Sequence, residues 1–209
     1  RLEGVLKSMG EPVKCDVNSI ILNGRINGQK VVATMGRKPL YETERVKALA
    51  IEAGFDLVGV APTDAGVAWD RYREAVERGY GADMGWLTDN PDVRRDVREI
   101  HPSARAVVVL GVSYASNTPG YLEHPPEKHE GWIARYAQGK DYHVHIRKML
   151  IRLVRSFEHD PALGHPSRSH RIFVDTGPVL EKAFAQTAGI GWIGRNTLLI
   201  NRTAGSWLF

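Results

Sequence analysis

Apolar and polar positions along the chain follow two rhythms, one helical and one of strand period, and the two alternate from residue 41 onward. Thr43 is placed to cap a helix carrying Val46, Leu49, Ala50 and Ala53 on one face, with Gly54 closing it. Residues 55–60 then read as a strand stopped by Ala61-Pro62. A second helix is expected over about residues 67–78, ending at Gly79-Tyr80-Gly81. The next stretch, with Met84-Gly85-Trp86-Leu87, Asn90-Pro91 and a basic run over 92–99, reads as loop. Residues 105–114 form a Val-rich apolar run, which predicts a strand buried on both faces. The strongest amphipathic pattern predicts a helix over 142–158. There Ile146, Met149, Leu150, Leu153, Val154 and Phe157 share a face, and Arg147, Lys148, Arg152 and Arg155 lie off it. Residues 116–130 and 160–168, rich in Pro, read as loops. Residues 171–174 read as a strand leading to Asp175-Thr176-Gly177-Pro178, with Pro178 in the first turn of a helix running to about Ala188. Residues 196–201 and 206–209 are expected to pair as a hairpin through the turn 202–205.

Upstream of this pattern the character changes. Asn23-Gly24 and Asn27-Gly28 lie between the short β-branched runs 19–22 and 30–32, predicting a small hairpin or an irregular arm. Residues 1–36 read as an extension, and Met35 is a plausible natural start. No internal repeat is visible, and the alternation of strands and helices predicts a layered α/β or α+β domain.

Composition narrows the class. The chain has 209 residues, 43% of them apolar and 25% charged, which fits one packed domain or one domain plus an extension. No apolar run approaches the roughly 20 residues that span a bilayer. The first residues carry no cleavable signal pattern. The single cysteine, Cys15, excludes within this chain a disulfide framework, a Cys-rich zinc site or a thiolate-ligated iron–sulfur cluster. Lys and Arg total 28 against 24 Asp and Glu, a mild basic bias compatible with a nucleic-acid partner. The first residue is Arg1 and the last falls within an expected strand, so the chain reads as a piece of a longer protein.

Candidate chemistry follows. Gly189-Ile190-Gly191-Trp192-Ile193-Gly194 matches the glycine spacing of a dinucleotide loop, but a helix precedes it and a strand follows, the reverse of what that loop requires. A helix terminus and tight turn, or close approach of backbone to another large flat ligand, remain open. Asp175 stands at the end of an expected strand, where it either caps the following helix, the reading local pattern favours, or donates a proton. His143 and His145 are too close in sequence to share a helix face as metal ligands. Arg135-Tyr136 and Lys140-Asp141-Tyr142-His143 either line a polar pocket or form an exposed helix start capped by Asp141. Arg94, Arg95 and Arg98, interleaved with acids, read either as a solvated loop or as an anion contact.

Six blocks then carry a resemblance. They are residues 54–62, Gly-Tyr-Gly-Ala-Asp-Met-Gly-Trp-Leu at 79–87, and Ile-Ala-Arg-Tyr-Ala-Gln-Gly-Lys-Asp-Tyr-His at 133–143. The others are Phe-Val-Asp-Thr-Gly-Pro-Val-Leu-Glu at 173–181, residues 188–197 and Gly-Ser-Trp-Leu-Phe at 205–209. In this order they resemble the epoxyqueuosine reductase family, cobalamin-dependent iron–sulfur oxidoreductases of queuosine biosynthesis, over residues 43–209. The resemblance implies a nitroreductase-like α/β sandwich, an α+β layered cobalamin-binding catalytic domain over 37–209. The ferredoxin-like module with its two 4Fe–4S clusters should follow beyond Phe209. It implies reduction of the epoxide of epoxyqueuosine in the anticodon arm of tRNA, with Asp175 donating the proton, which displaces the cap reading. By position it implies cobalamin contacts at Arg94, Ala134, Asp175, Arg195, Asn196, Thr197, Leu199, Asn201 and Ser206, and Asp141, Tyr142 and His143 beside the substrate. The family's usual Lys after the last glycine is here Arg195, which keeps charge and changes geometry. The glycines at 189, 191 and 194 would admit a corrin ring, and Arg147, Lys148, Arg152 and Arg155 are placed to meet tRNA phosphates or to form a solvated face. A cytoplasmic monomer with an external electron donor and no membrane is expected, and no turnover by this stretch alone. Against this stand a reductive-dehalogenase-like or cobalamin-processing protein, an RNA-binding module without chemistry, and, weakest, a flavin or nicotinamide enzyme.

Overall fold

The computed structural model describes residues 19–26, 29–36, 41–89, 91–116, 120, 123–163 and 170–209. Cys15, with the rest of residues 1–18, and most of the loop 160–168 lie outside them. The chain divides into two units, 1–45 and 46–209.

In the first unit, β1 (Ser19–Ile26) and β2 (Gln29–Gly36) form an antiparallel hairpin in which Ser19 faces Gly36 and Ile26 faces Gln29. The hairpin predicted from the Asn-Gly pairs is present, and its strands are longer than the β-branched runs alone.

In the second unit, β3 (Leu57–Ala61) pairs antiparallel with β4 (Val107–Gly111), Leu57 opposite Gly111 and Ala61 opposite Val107. Successive residues of a strand face opposite sides, and β4 shows it: Leu110 and then Val112 join one core, Val107 and Val109 the other. The first core packs α1 (Tyr41–Glu52) through Leu49 and Ala50 against α5 (Tyr142–His159) through Ile146, Met149 and Leu153. The second gathers Ala61, Ala65 and Val97 around Phe184 of α6 (Glu181–Thr187). Gly59 makes this possible, because a Cβ there would sit 2.6 Å from the Ala188 carbonyl oxygen at the end of α6.

The remaining elements are α2 (Val67–Glu77), the short α3 (Gly85–Thr88) and α4 (Pro91–Arg95), 3₁₀ turns at Val97–Glu99 and Arg135–Ala137, and the two-residue strands β5 (Trp192–Ile193) and β6 (Leu199–Ile200), which pair antiparallel.

Six local expectations are corrected. The stretch 84–99 carries two short helices and a 3₁₀ turn rather than loop. The first helix starts at Tyr41, two residues before Thr43. Residues 107–110 of β4 are half-buried rather than fully buried, although both faces of the strand pack against a core. Residues 171–174 form no strand. The chain turns tightly there, with the Thr176 N–H donating to the Val174 carbonyl at 2.6 Å, and α6 begins at Glu181, not near Pro178. Gly177 lies under the Phe173 ring, where a Cβ would come within 2.3 Å of Cδ1, so 173–177 doubles back on itself. Finally, the turn 202–205 forms, bridged between Asn201 and Gly205, but 206–209 does not pair with 196–201. It pairs with the extension of β4: the Val112 N–H donates to the Phe209 carbonyl (3.1 Å), and the Phe209 N–H donates to the Val112 carbonyl (2.9 Å). The fold is a mixed arrangement of helices and antiparallel strands.

Candidate active site

The start of α5 is built by Asp141. Its Oδ1 accepts the His143 N–H (2.9 Å) as a helix cap and lies 2.8 Å from His143 Nδ1. The hydrogen bonds from His143 hold the Asp141 carboxyl below its ordinary range. Tyr142, next along the helix, stacks on Phe209 (4.1 Å between centroids, 13° apart) and on the His143 ring, and its hydroxyl donates to Oδ2 of Asp175. Burial first, and then the Asp175 carboxylate, push the phenol's pKa up, so it keeps its proton. His143 Nε2 lies 3.7 Å from the same Asp175 oxygen.

Asp175 does not cap α6; Leu180 occupies that position. Its backbone is left-handed, with φ of 54°, an uncommon conformation for a residue with a Cβ. Its N–H donates to Oε1 of Glu181 at 3.1 Å. Its side chain is 54% exposed, not partly buried as a strand-end carboxyl would be. Beneath it, burial and the neighbouring Asp175 charge push Glu181 up to about 7.

A cavity of about 550 Å³ joins Asp175, Thr176, Gly177 and Pro178 to Trp86, Asp89 and Arg94. Arg94 is not on a solvated loop. It is 6% exposed, donates from its guanidinium to the Trp86 carbonyl (2.8 Å), and lies 5.5 Å from the centre of the Tyr72 ring. The Tyr72 hydroxyl in turn donates to the Leu87 carbonyl. Arg94 Nε is buried and has no hydrogen-bond partner among the described residues. Arg98, by contrast, is committed to a two-pronged pair with Asp96 (Nε at 2.9 and 3.0 Å).

The structure thus brings Arg94, Asp141, Tyr142, His143 and Asp175 together. Most of the other sequence-predicted residues make contacts within the chain. Ala134 accepts the Ala137 N–H at 2.9 Å to start a 3₁₀ turn. The glycine motif follows α6, with Gly189 left-handed as its terminus (φ 77°), and β5 lies within it. An added Cβ at Gly191 would sit 2.3 Å from the Ile200 carbonyl oxygen, and one at Gly194 2.6 Å from Ile200 Cδ1, so both glycines admit the chain's own strand. Asn196 Oδ1 accepts the Leu198 N–H (3.2 Å), Thr197 is left-handed, and its carbonyl receives Lys182 Nζ at 2.7 Å. Leu199 pairs with Ile193. Asn201 donates to the Ile190 carbonyl (2.5 Å) and accepts from the Thr203 and Ala204 N–H groups. Arg195 is exposed and Ser206 half-buried. Sequence reasoning missed Glu181 and Tyr72; Glu181 lay within the 173–181 block, six residues beyond Asp175. Among the described residues, no group of three or more His, Cys, Asp or Glu could hold a metal ion, and no helix is long and apolar enough to cross a membrane.

A family model described as "Epoxyqueuosine reductase QueG, DUF1730" matches residues 94–176, beginning at the buried arginine and ending just past Asp175. The chain is 42% identical over 155 residues to the epoxyqueuosine reductase of Synechocystis sp., covering 73% of this chain and 50% of that protein. It is 39% identical over 167 residues to that of Gloeobacter violaceus, covering 79% and 49%. The fold is similar to the solved epoxyqueuosine reductase of Streptococcus thermophilus, with TM-score 0.67 and 28% identity over 79% of this chain and 43% of that one. It is also similar, at 24% identity and TM-score 0.66, to an epoxyqueuosine reductase crystallised with an epoxyqueuosine-modified tRNA stem loop. The chain spans about half the length of the curated relatives it matches. On the match through the site and on the identities along most of its length, the chain belongs to the epoxyqueuosine reductase family.

Proposed function

We propose that this chain is the cofactor-binding and proton-donating part of an oxidoreductase that reduces epoxyqueuosine to queuosine in tRNA. The observation that carries the reading is Asp175: a carboxyl on an open cavity, its side chain held by the Tyr142 hydroxyl and its backbone by Glu181. An epoxide oxygen needs a proton as its bond to carbon breaks, and a positioned carboxylic acid provides one. Tyr142, kept protonated, fixes which Asp175 oxygen faces the cavity, and His143, oriented by Asp141, stands where it can return a proton to the acid.

Cobalamin, when bound, supplies the reduced cobalt centre that drives loss of the oxygen. The donor set fits such a ligand at one point: Arg94 Nε is buried and unpartnered beside the cavity, suited to an amide carbonyl on the rim of a corrin. Arg94 and the 175–178 turn would hold it, with Ala134, Arg195 and Ser206 as further contacts. Asn196, Thr197 and Asn201 bring less, since their polar groups are engaged within the chain. Residues 37–209 act, in this reading, as a layered nitroreductase-like domain. A single cysteine cannot ligate 4Fe–4S clusters, so the clusters and their external electron donor belong to other parts of the system. The tRNA-bound relative supports the anticodon arm as partner. A monomer working in the cytoplasm completes the reading.

Asp175→Asn in the full-length protein tests it. Reduction of epoxyqueuosine-containing tRNA is expected to fall about 10²–10⁴-fold, with cobalamin still bound by its absorbance spectrum. Wild-type turnover in that variant refutes the proton-donor role.

A further inference from the structure

Asp175 is held at two ends by two different helices. Tyr142, from α5, takes its carboxylate, and Glu181, the first residue of α6, takes its backbone N–H at 3.1 Å. The backbone bond matters because Asp175 has φ of 54°, which an L-residue with a Cβ abandons unless its surroundings hold it. Within the turn, the Thr176 N–H bond to the Val174 carbonyl closes the backbone around Asp175, and Glu181 adds a bond to that backbone from outside the turn. Gly177 needs its missing Cβ to fit against Phe173, and the Asp175 side chain points into open space on one side. Glu181, in contrast, stands on a fixed base. Three residues on, Phe184 is 2% exposed in the second core, and adjacent Lys182 ties α6 to the Thr197 carbonyl.

We propose that Glu181 is a positioning residue, a latch that accepts the Asp175 N–H and so keeps the acid's backbone left-handed and its carboxyl at the cavity. Glu181 touches no substrate in this role; it acts through Asp175. A substituent that keeps an oxygen acceptor at the same reach keeps the latch, and one that fills the space without an acceptor opens it. Burial of Glu181 beside the Asp175 carboxylate is the cost of this placement, which a merely solvated helix-start glutamate would not bear. The inference rests on the reading of Asp175 as proton donor, but its test does not.

The experiment compares wild type, Glu181→Gln and Glu181→Met in the full-length protein by hydrogen–deuterium exchange and by kinetics on modified tRNA. Glu181→Met is expected to speed exchange at the Asp175 amide by about tenfold, the loss expected for one hydrogen bond whose donor is left unsatisfied. It should lower kcat by a similar factor at unchanged KM. Glu181→Gln, whose amide carbonyl still accepts, should restore both to within about threefold. Unchanged exchange in Glu181→Met overturns the proposal, as does Glu181→Gln exchanging as fast as Glu181→Met. If circular dichroism shows Glu181→Met unfolded, Glu181→Ala replaces it under the same criteria. If wild type fails to reduce epoxyqueuosine, the functional reading falls and the exchange comparison alone decides the latch.

Discussion

Two regions of the second unit carry the residues that the family pattern marks, and they use their polar groups in opposite ways. Around Asp175, side chains reach for each other across elements: Tyr142 and His143 from α5, Glu181 from α6 and Arg94 from α4. Asp175 and Arg94 line a common cavity. In the turn from Gly189 to Gly205, the polar groups fold inward: Asn201 binds Ile190, Thr203 and Ala204, and Asn196 binds Leu198. Residues marked by one family pattern can therefore be wired in two ways, across elements at Asp175 and within one turn at Asn201.

The sharpest way to break this contrast is Gly191→Ala. A Cβ there would meet the Ile200 carbonyl oxygen at 2.3 Å, so the turn must open. A loss of about 2–3 kcal/mol is expected, seen as a drop in Tm. A variant of unchanged Tm that has lost its cofactor would make the turn a ligand surface after all. Asn201→Ala comes next, since it removes one donor and one multiple acceptor from a half-buried turn. A cost of about 1–3 kcal/mol by chemical denaturation is expected, with the catalytic rate of the full-length protein little changed. Tyr142→Phe should do the reverse. The stack on Phe209 is kept and the bond to Asp175 is lost, so stability holds within about 1 kcal/mol while turnover falls about tenfold. Equal losses of stability at Asn201 and Tyr142 would erase the distinction.

The smallest effect is one of pH. Glu181 faces the Asp175 carboxylate from the loop and Lys182 from its own helix, with Tyr142 and His143 of α5 on the far side of Asp175. Its folded value of about 7 lies above the ordinary 4.5, so the native state holds this proton more tightly than the unfolded chain. The resulting stabilisation is full below about 4.5 and is lost as pH rises through about 7. Denaturant midpoints at pH 5 and pH 8 should show this decline in wild type and lack it in Glu181→Gln. An equal decline in both would assign it to another group.

Where the signal was local, the sequence was readable. The helix at 142–159 is found almost to the residue, because Ile146, Met149 and Leu153 repeat at helical spacing on one face over about two turns. The left-handed glycines closing α1 and α6 were also legible. What failed depended on distant partners. Arg-Ile-Phe-Val at 171–174 has strand-forming residues but finds no ladder among the described residues, since pairing is decided by neighbours in space. The segment 206–209 was given a nearby partner and took a remote one at 112–114. For Arg94 the sequence leaves a solvated loop and an anion contact both open, because the Tyr72 ring and Trp86 carbonyl beside it come from separate elements. At the site, Asp175 and the Asp-Tyr-His block were visible as residue types, while Glu181 was not, because what marks it is a bond to a backbone and not a motif.

The pairing of 112–114 with 207–209 bears on the order of assembly. It sets the Phe209 ring against the Tyr142 phenol, so the aromatic floor of the site comes from a segment remote in sequence from both β4 and α5. Contacts of such long sequence separation form late, after local helices. A slip of one residue would turn Leu208 toward the phenol in place of Phe209. During folding, α5 can therefore be complete while the Tyr142 ring still lacks its partner, which arrives only when residues 207–209 dock beside 112–114.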